Sequence, residues 1–166
     1  MQPRSAMLAP DTICYRQAAA DDASQISALI LDSQHEFTFH EYTPAGQELM
    51  QKLCSDRAIR EYIERGDIYF VAEIDGAIIG VIGIRQTSHV AHNFVATSWH
   101  RKGISGQLWK LGRAACLAAG NRGEFDLRAS TFAIPVYEKW GFVITGEAED
   151  TGGIISTPMR LENRDS

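Results

Sequence analysis

The sequence predicts one mixed α/β domain, with a mainly antiparallel central sheet flanked by helices. Three observations carry that expectation. "IYFVAEIDGAIIGVIGIRQ" places two β-rich runs around Asp75-Gly76, a pair suited to the positive φ angles of a type I′ hairpin turn. "ISGQLWKLGRAACLA" then switches to helical period, with Ile104, Leu108, Leu111 and Ala115 forming one stripe. At 166 residues the chain is long enough to bury a single sizeable core.

The elements follow in order. "MQPRSAMLAP" lacks the apolar stretch of a signal peptide and reads as a flexible extension, 1–10, ahead of one domain over 11–166. "TICYRQ" is a short strand with Ile13 and Tyr15 on one face. In "AADDASQISALILDS", Asp21 or Asp22 caps a helix whose stripe is Ile26, Leu29 and Ile30. "QHEFTFHEYTPAG" is aromatic and His-rich, is broken by Pro44 and Gly46, and leads into a further helix or two through about Glu64. After the hairpin, "HVAHNFVAT" continues the sheet. The helix from Ile104 ends at Gly120-Asn121. "FDLRAS" is a strand, "TFAIPVYEKWG" a short helix, and "FVITGE" and "IISTPMRLE" close the domain as strands. Trp109 falls off the helical stripe, which predicts an edge or interface position.

Composition narrows the function classes. With 45% hydrophobic and 22% charged residues the chain is of ordinary globular type. A net charge of −5 opposes broad nucleic-acid binding, and no apolar run is long enough to span a bilayer, so neither nucleic acid nor membrane is an expected partner. Cys14, Cys54 and Cys116 are odd in number and lack neighbours at zinc-site spacing. They read as small buried hydrophobes in a reducing, cytoplasmic setting.

The stretch His100 to Lys110, "HRKGISGQLWK", raises the question of chemistry. A helix start after a strand exposes N–H groups without intrahelical acceptors, and the helix dipole adds positive potential there. Gly103 and Gly106 let an anion approach the backbone, while Arg101 and Lys102 place cations where an unliganded helix prefers acids. By spacing alone, a phosphate cradle and the solvated start of an ordinary helix fit equally. Neither the P-loop nor the Rossmann fingerprint is present.

"NFVATSWHRKGISGQLW" resembles the acetyl-CoA-binding motif of the GCN5-related N-acetyltransferases, in which a strand ending in Val precedes a [Q/R]-x-x-G-x-[G/A] turn. The six positions here are His100, Arg101, Lys102, Gly103, Ile104 and Ser105, followed by Gly106. Gly103 is retained; His100 stands for Gln or Arg, and Ser105 for Gly or Ala, where its hydroxyl is a possible phosphate donor. "STFAIPVYEKWGF" resembles the family's N-x-x-A-x-x-x-Y-[ED]-[KR]-x-GF, with Ala133, Tyr137, Glu138, Lys139, Gly141 and Phe142 in register and Ser130 in place of Asn.

The resemblance implies a sheet with a splayed cofactor strand and transfer of an acetyl group from acetyl-CoA to a primary amine in a ternary complex. Asn93, Phe94 and Val95 would pair with the pantetheine arm, and Arg101 to Gly106 would hold the pyrophosphate. Ser130 and Ala133 would lie along the cofactor. Tyr137 is the expected proton donor to the departing thiolate; as a lone tyrosine it would read as core. His92, Glu73, Asp126, His35, Glu36, His40 and Glu41 are base candidates without a pattern to choose among them. Phe37, Phe39 and Tyr42 either cap the core or receive a cationic amine. No metal is expected, because His35 and His40 do not share a helix face well. The acceptor is a small-molecule or protein amine, and a homodimer is plausible by resemblance only. A binding module of the same fold without turnover is the rival reading.

Overall fold

In a computed structural model, residues 12–163 are described; the expected 1–10 extension lies outside them. Strand β1 (Cys14–Gln17) leads through a 3₁₀ turn at Ala20–Asp22 into helix α1 (Ala23–Phe37). A second 3₁₀ turn at Phe39–Glu41 precedes α2 (Pro44–Leu53) and α3 (Asp56–Glu64). Then come β2 (Ile68–Ile74), β3 (Ala77–Arg85), β4 (His89–Val95), α4 (Ile104–Ala118), β5 (Phe125–Ala129), α5 (Ile134–Lys139), β6 (Val143–Ile144), β7 (Glu149–Thr151) and β8 (Ile154–Leu161).

Local chemistry sets several of these boundaries. Thr43 caps α2 by accepting from the Gly46 N–H, with Pro44 at the first turn, so the supposed breaker marks a helix start. Ser55 caps α3 in the same way through Ala58 N–H. Asp22 does not cap α1 through its side chain. Its carboxylate accepts from the Ala19 N–H and pairs at 2.7 Å with Arg16, which also holds Glu73 at 2.9 Å. Asp75 and Gly76 have φ of 48° and 82°, as the hairpin reading requires.

The sheet runs β1-β2-β3-β4-β5-β8-β6, with β7 paired to β8. All pairings are antiparallel except β4–β5. The parallel contact holds only at His89↔Asp126 and Val90↔Leu127, after which the strands separate. This splay divides the sheet into two halves. On one face α1 and α3 pack Ile26, Ile30 and Ile59 against Tyr69, Val71 and Val81. On the other, α4 packs Ile104, Leu108, Trp109 and Cys116 against Ile82, Ile84, Leu127 and Met159.

The α4 stripe therefore sits slightly rotated from expectation. Trp109 is only 8% exposed and stacks on Trp140 at 5.2 Å, so it is core and not edge, whereas Leu111 and Ala115 are half-buried. An indole this large fills the gap between α4 and α5, which spacing along α4 alone does not reveal. The β7–β8 hairpin, closed by Gly152-Gly153, is an element beyond the expected order. α2 starts against it, with Thr43 N–H donating to Gly153 O at 3.1 Å.

Candidate active site

A one-residue irregularity in β4 determines which side chains face which half. Gly83 pairs with His92 but Ile84 pairs with Val90, so Ala91 is extra. An extra residue flips the alternation that follows it. Val90 joins the α4 core, while His92 turns toward Tyr69 on the α1/α3 face. Asn93 then returns to the α4 face, where Ser105 and Tyr137 lie.

Beyond Val90 no β4 residue pairs with β5, and a cleft of about 1220 Å³ at the gap is lined by residues from both faces of the sheet. Asn93, Phe94, Val95, Arg101, Gly103, Ile104, Ser105, Gly106, Ser130, Ala133 and Tyr137 all line it. Lys102 does not: its ammonium is turned over the Trp99 ring, 6.0 Å from the centroid. Among the base candidates His92 and Glu36 line the cleft, whereas Glu73, Asp126, His35, His40 and Glu41 do not. Glu36 accepts from Thr97 Oγ1 at 2.6 Å.

The mouth of the cleft is the start of α4. Arg101 and Gly103 both have positive φ, 63° and 78°, so the chain doubles back before entering the helix. Gly103, the N-cap, makes no side-chain cap and no acid stands in the first turn. The first intrahelical bond is Gln107 N–H to Gly103 O, which leaves the N–H groups of Ile104, Ser105 and Gly106 without intrahelical acceptors. An uncapped helix end with Arg101 beside it favours an anion.

His100, a departure from the motif, donates from Nε2 to Val95 O at 2.7 Å and stacks on Phe37. Phe37 in turn stacks on Phe132, centroids 4.3 Å apart, joining the end of α1 to the loop after β5 across the cleft. Phe132 is 53% exposed. Phe39 and Tyr42 are buried, as the core reading expects.

Helix α5 positions Tyr137. Gly141, with φ of 100°, ends it in a Schellman arrangement: Gly141 N–H donates to Glu138 O and Phe142 N–H to Tyr137 O. Phe142 and Trp140 both meet the Tyr137 ring edge-on, at 5.9 and 5.2 Å. The "YEKWGF" block is thus also a helix stop that clamps the tyrosine. Tyr137 is 7% exposed, and burial pushes its phenol up to about 12, against the opposing pull of a hydrogen bond from Asn93. Ser130 makes no hydrogen bond to Tyr137. Ser105's hydroxyl donates to Asn93 Oδ1 at 3.1 Å.

Sequence reasoning missed the wall on the opposite face. Tyr69 passes over Gly83 and meets His92 Nδ1 at 2.8 Å, while Cys54 Sγ lies 3.6 Å from Nε2 and donates to Met50 Sδ. The chain is self-consistent with every member neutral: the Tyr69 hydroxyl donates to Nδ1, and Nε2–H faces the Cys54 sulfur. Burial, with Arg85 and His89 adding positive charge nearby, lowers His92 to about 4. Burial also raises the Tyr69 phenol and pushes the Cys54 thiol up to about 12. A glycine in mid-strand, paired with a histidine, was the one available signal.

The chain matches the family model of an acetyltransferase (GNAT) domain over residues 38–163. No curated protein sequence matches it significantly. Its fold is similar to that of a GCN5-related N-acetyltransferase from Rhodopseudomonas palustris, with TM-score 0.75 and 19% identity over 92% of this chain and 97% of that one. It is similar also to PaiA N-acetyltransferase from Thermoplasma acidophilum in complex with coenzyme A, with TM-score 0.74 and 18% identity over 92% and 99%. A GNAT-family acetyltransferase from Streptococcus pneumoniae matches with TM-score 0.69 and 19% identity over 92% and 100%.

Proposed function

The chain belongs to the GNAT acetyltransferase family, and from that premise we propose that it moves an acetyl group from acetyl-CoA to a primary amine in a ternary complex. One observation carries the reading: the β4–β5 splay opens beside an uncapped helix start, with a buried phenol in its wall. The amine belongs to a small molecule or to a protein.

The residues present fit acetyl-CoA. The N–H groups of Ile104, Ser105 and Gly106, with Arg101, hold the pyrophosphate. The unpaired edge of β4 from Ala91 to Val95 accepts the pantetheine arm as a strand edge accepts another strand. His100 must yield the Val95 carbonyl, or share it, for that pairing to be complete. Acetyl-CoA brings an activated acyl group; the protein brings orientation and protons.

Tyr137 keeps its proton at neutral pH because burial disfavours the phenolate, and gives it to the thiolate as the carbon–sulfur bond breaks. Such help is worth about 10²–10⁴-fold. The two faces divide the work, with Tyr137 on the donor side and the neutral His92–Tyr69–Cys54 chain lining the acceptor side. Glu73 and Asp126 stand outside the cleft, so neither is assigned as base.

Acetyl-CoA at a hundred times its dissociation constant should stabilise the fold by about 2.7 kcal/mol, and ATP and NAD should not. Free thiol should then appear with one class in an amine panel, and Tyr137→Phe should slow that release by roughly 10²-fold or more. Undiminished turnover in Tyr137→Phe removes the proton-donor role. Binding of acetyl-CoA without turnover on any amine replaces the enzyme with a cofactor-binding module.

A further inference from the structure

Charge around the cleft is distributed unevenly, in a pattern that acetyl transfer by itself does not require. Arg65, Arg85, Arg101, Arg128 and Lys139 line it, against only two acids, Glu36 and Asp67. The whole chain has a net charge of −5, so this excess of cations is local. Arg101 stands at the α4 start, where the pyrophosphate accounts for it. Asp67 is already neutralised: its carboxylate, 10% exposed, accepts from Arg65 Nε and Nη2 at 3.1 and 2.7 Å. Glu36 lies past the far end of β4, bonded to Thr97.

Strand register gathers three basic side chains on one face. Tyr69, on the α1/α3 face, pairs with Gly83, and Arg85 follows two residues later on the same face. Arg85 pairs with His89, and His89 with Asp126, so Arg128, two residues on, shares that face. This is the face of the His92–Tyr69–Cys54 wall. The strand rise puts Arg85 about 7 Å from the Gly83–His92 pair. Glu149 holds Arg128 at 2.6 Å and Asp126 holds His89 at 2.5 Å, but neither acid lines the cleft. Arg85 differs from both. Among the described residues its guanidinium makes no hydrogen bond or ion pair, although it lines the cleft.

Resting on the acetyl transfer proposed above, we propose that the acceptor is an amine that also carries a carboxylate, an amino acid, and that Arg85 recognises the carboxylate. A guanidinium fork meets a carboxylate with two parallel hydrogen bonds, and no acid of the protein competes for this one. With the carboxylate at Arg85, the amine lies one row of side chains away, toward His92 and the gap where β4 leaves β5. The amine nitrogen bonds to the acyl carbon as the carbon–sulfur bond breaks. Its surplus proton goes to solvent, the departing sulfur takes the Tyr137 proton, and Tyr137 regains one from solvent. A polyamine fits this face poorly, since its second ammonium would meet Arg85 and Arg128 with no unpaired acid to receive it. The same cations favour the neutral, attacking form of the amine.

The test measures thiol release from acetyl-CoA with a panel of amino acids, each beside its own carboxamide, and with spermidine. The carboxamide keeps the amine and the side group and removes only the negative charge. The amino acid that reacts best should exceed its carboxamide about tenfold to a hundredfold in kcat/KM, and spermidine should be a poor acceptor. Arg85→Gln should bring that amino acid down to the level of its carboxamide, chiefly through KM. Arg85→Lys should restore part of the preference, because it returns the charge without the fork. Arg85 is exposed, so neither variant disturbs the core. A carboxamide or spermidine that reacts as well as the amino acids overturns the proposal, as does a preference that survives in Arg85→Gln, and both results leave the transferase reading intact. Binding gives a readout without turnover. In protein saturated with coenzyme A, amino acids of the panel should raise the melting temperature more than their carboxamides do, and Arg85→Gln should abolish that difference. No difference in the wild type overturns the carboxylate site. If every amine fails to release thiol while the difference persists, the transferase reading falls and the carboxylate site stands.

Discussion

Gly83→Ala is the most direct test of the Tyr69–His92 wall. A Cβ at Gly83 would lie 2.3 Å from Tyr69 Cε1, 2.5 Å from Cζ and 2.9 Å from the hydroxyl. The two nearest are ring atoms of a residue only 2% exposed, so the ring has little room to retreat. Overpacking of this kind costs about 1–3 kcal/mol. If the ring tilts away, the 2.8 Å bond to His92 Nδ1 breaks and leaves a buried acceptor unpaired, a further loss of about 1–3 kcal/mol. Taking about 3 kcal/mol in total, the melting temperature should fall by roughly 6–12 °C for a domain of this size. The assay is thermal unfolding by circular dichroism, run on a double-mutant cycle with Tyr69→Leu. A leucine does not reach across Gly83, so Gly83→Ala should cost less than about 1 kcal/mol in that background. Equal losses in the two backgrounds would refute the reasoning, and so would no loss in the wild type.

Two further outcomes follow from the same geometry. His92 titrates near 4 when folded and near 6.5 when free, so between those values the unfolded chain binds the extra proton. Its contribution is complete above pH 6.5 and is lost as pH falls toward 4, by about 3 kcal/mol. Urea midpoints across that range should flatten in His92→Gln relative to wild type, and an unchanged slope would show that His92 is not buried neutral. At the cleft mouth, Gly103→Val forces a β-branched residue to φ of 78° in open space, a local strain of about 1–2 kcal/mol. Calorimetry should show acetyl-CoA affinity falling about tenfold, and an unchanged dissociation constant would remove the loop from the binding site.

The periodic and punctuated parts of the fold were legible because their causes are local. The Asp75-Gly76 hairpin, the Ile26/Leu29/Ile30 stripe and the Gly141 stop each depend on residues within a turn or two of one another. So did the two blocks that carry the family resemblance. Where the determining contact came from afar, the reading slipped. Trp109 looked like an edge residue because Trp140, its stacking partner, lies at the end of another helix, some thirty residues on.

By itself the sequence determined the fold class, the family and the position of the helix start on which an anion can rest, since propensity, turn chemistry and motif spacing all act along the chain. Only the tertiary structure decided how the cleft is lined. One extra residue in β4 sends His92 to one face and Asn93 to the other, and no local rule reports that flip. Ser105, Asn93 and Tyr137 meet because α4, β4 and α5 converge on one side of a sheet that stops pairing after Val90. Tyr69, His92 and Cys54 meet on the other side through side-chain packing across three separate elements. Contacts of that kind depend on where the elements come to rest in the folded molecule, which spacing along the chain does not encode.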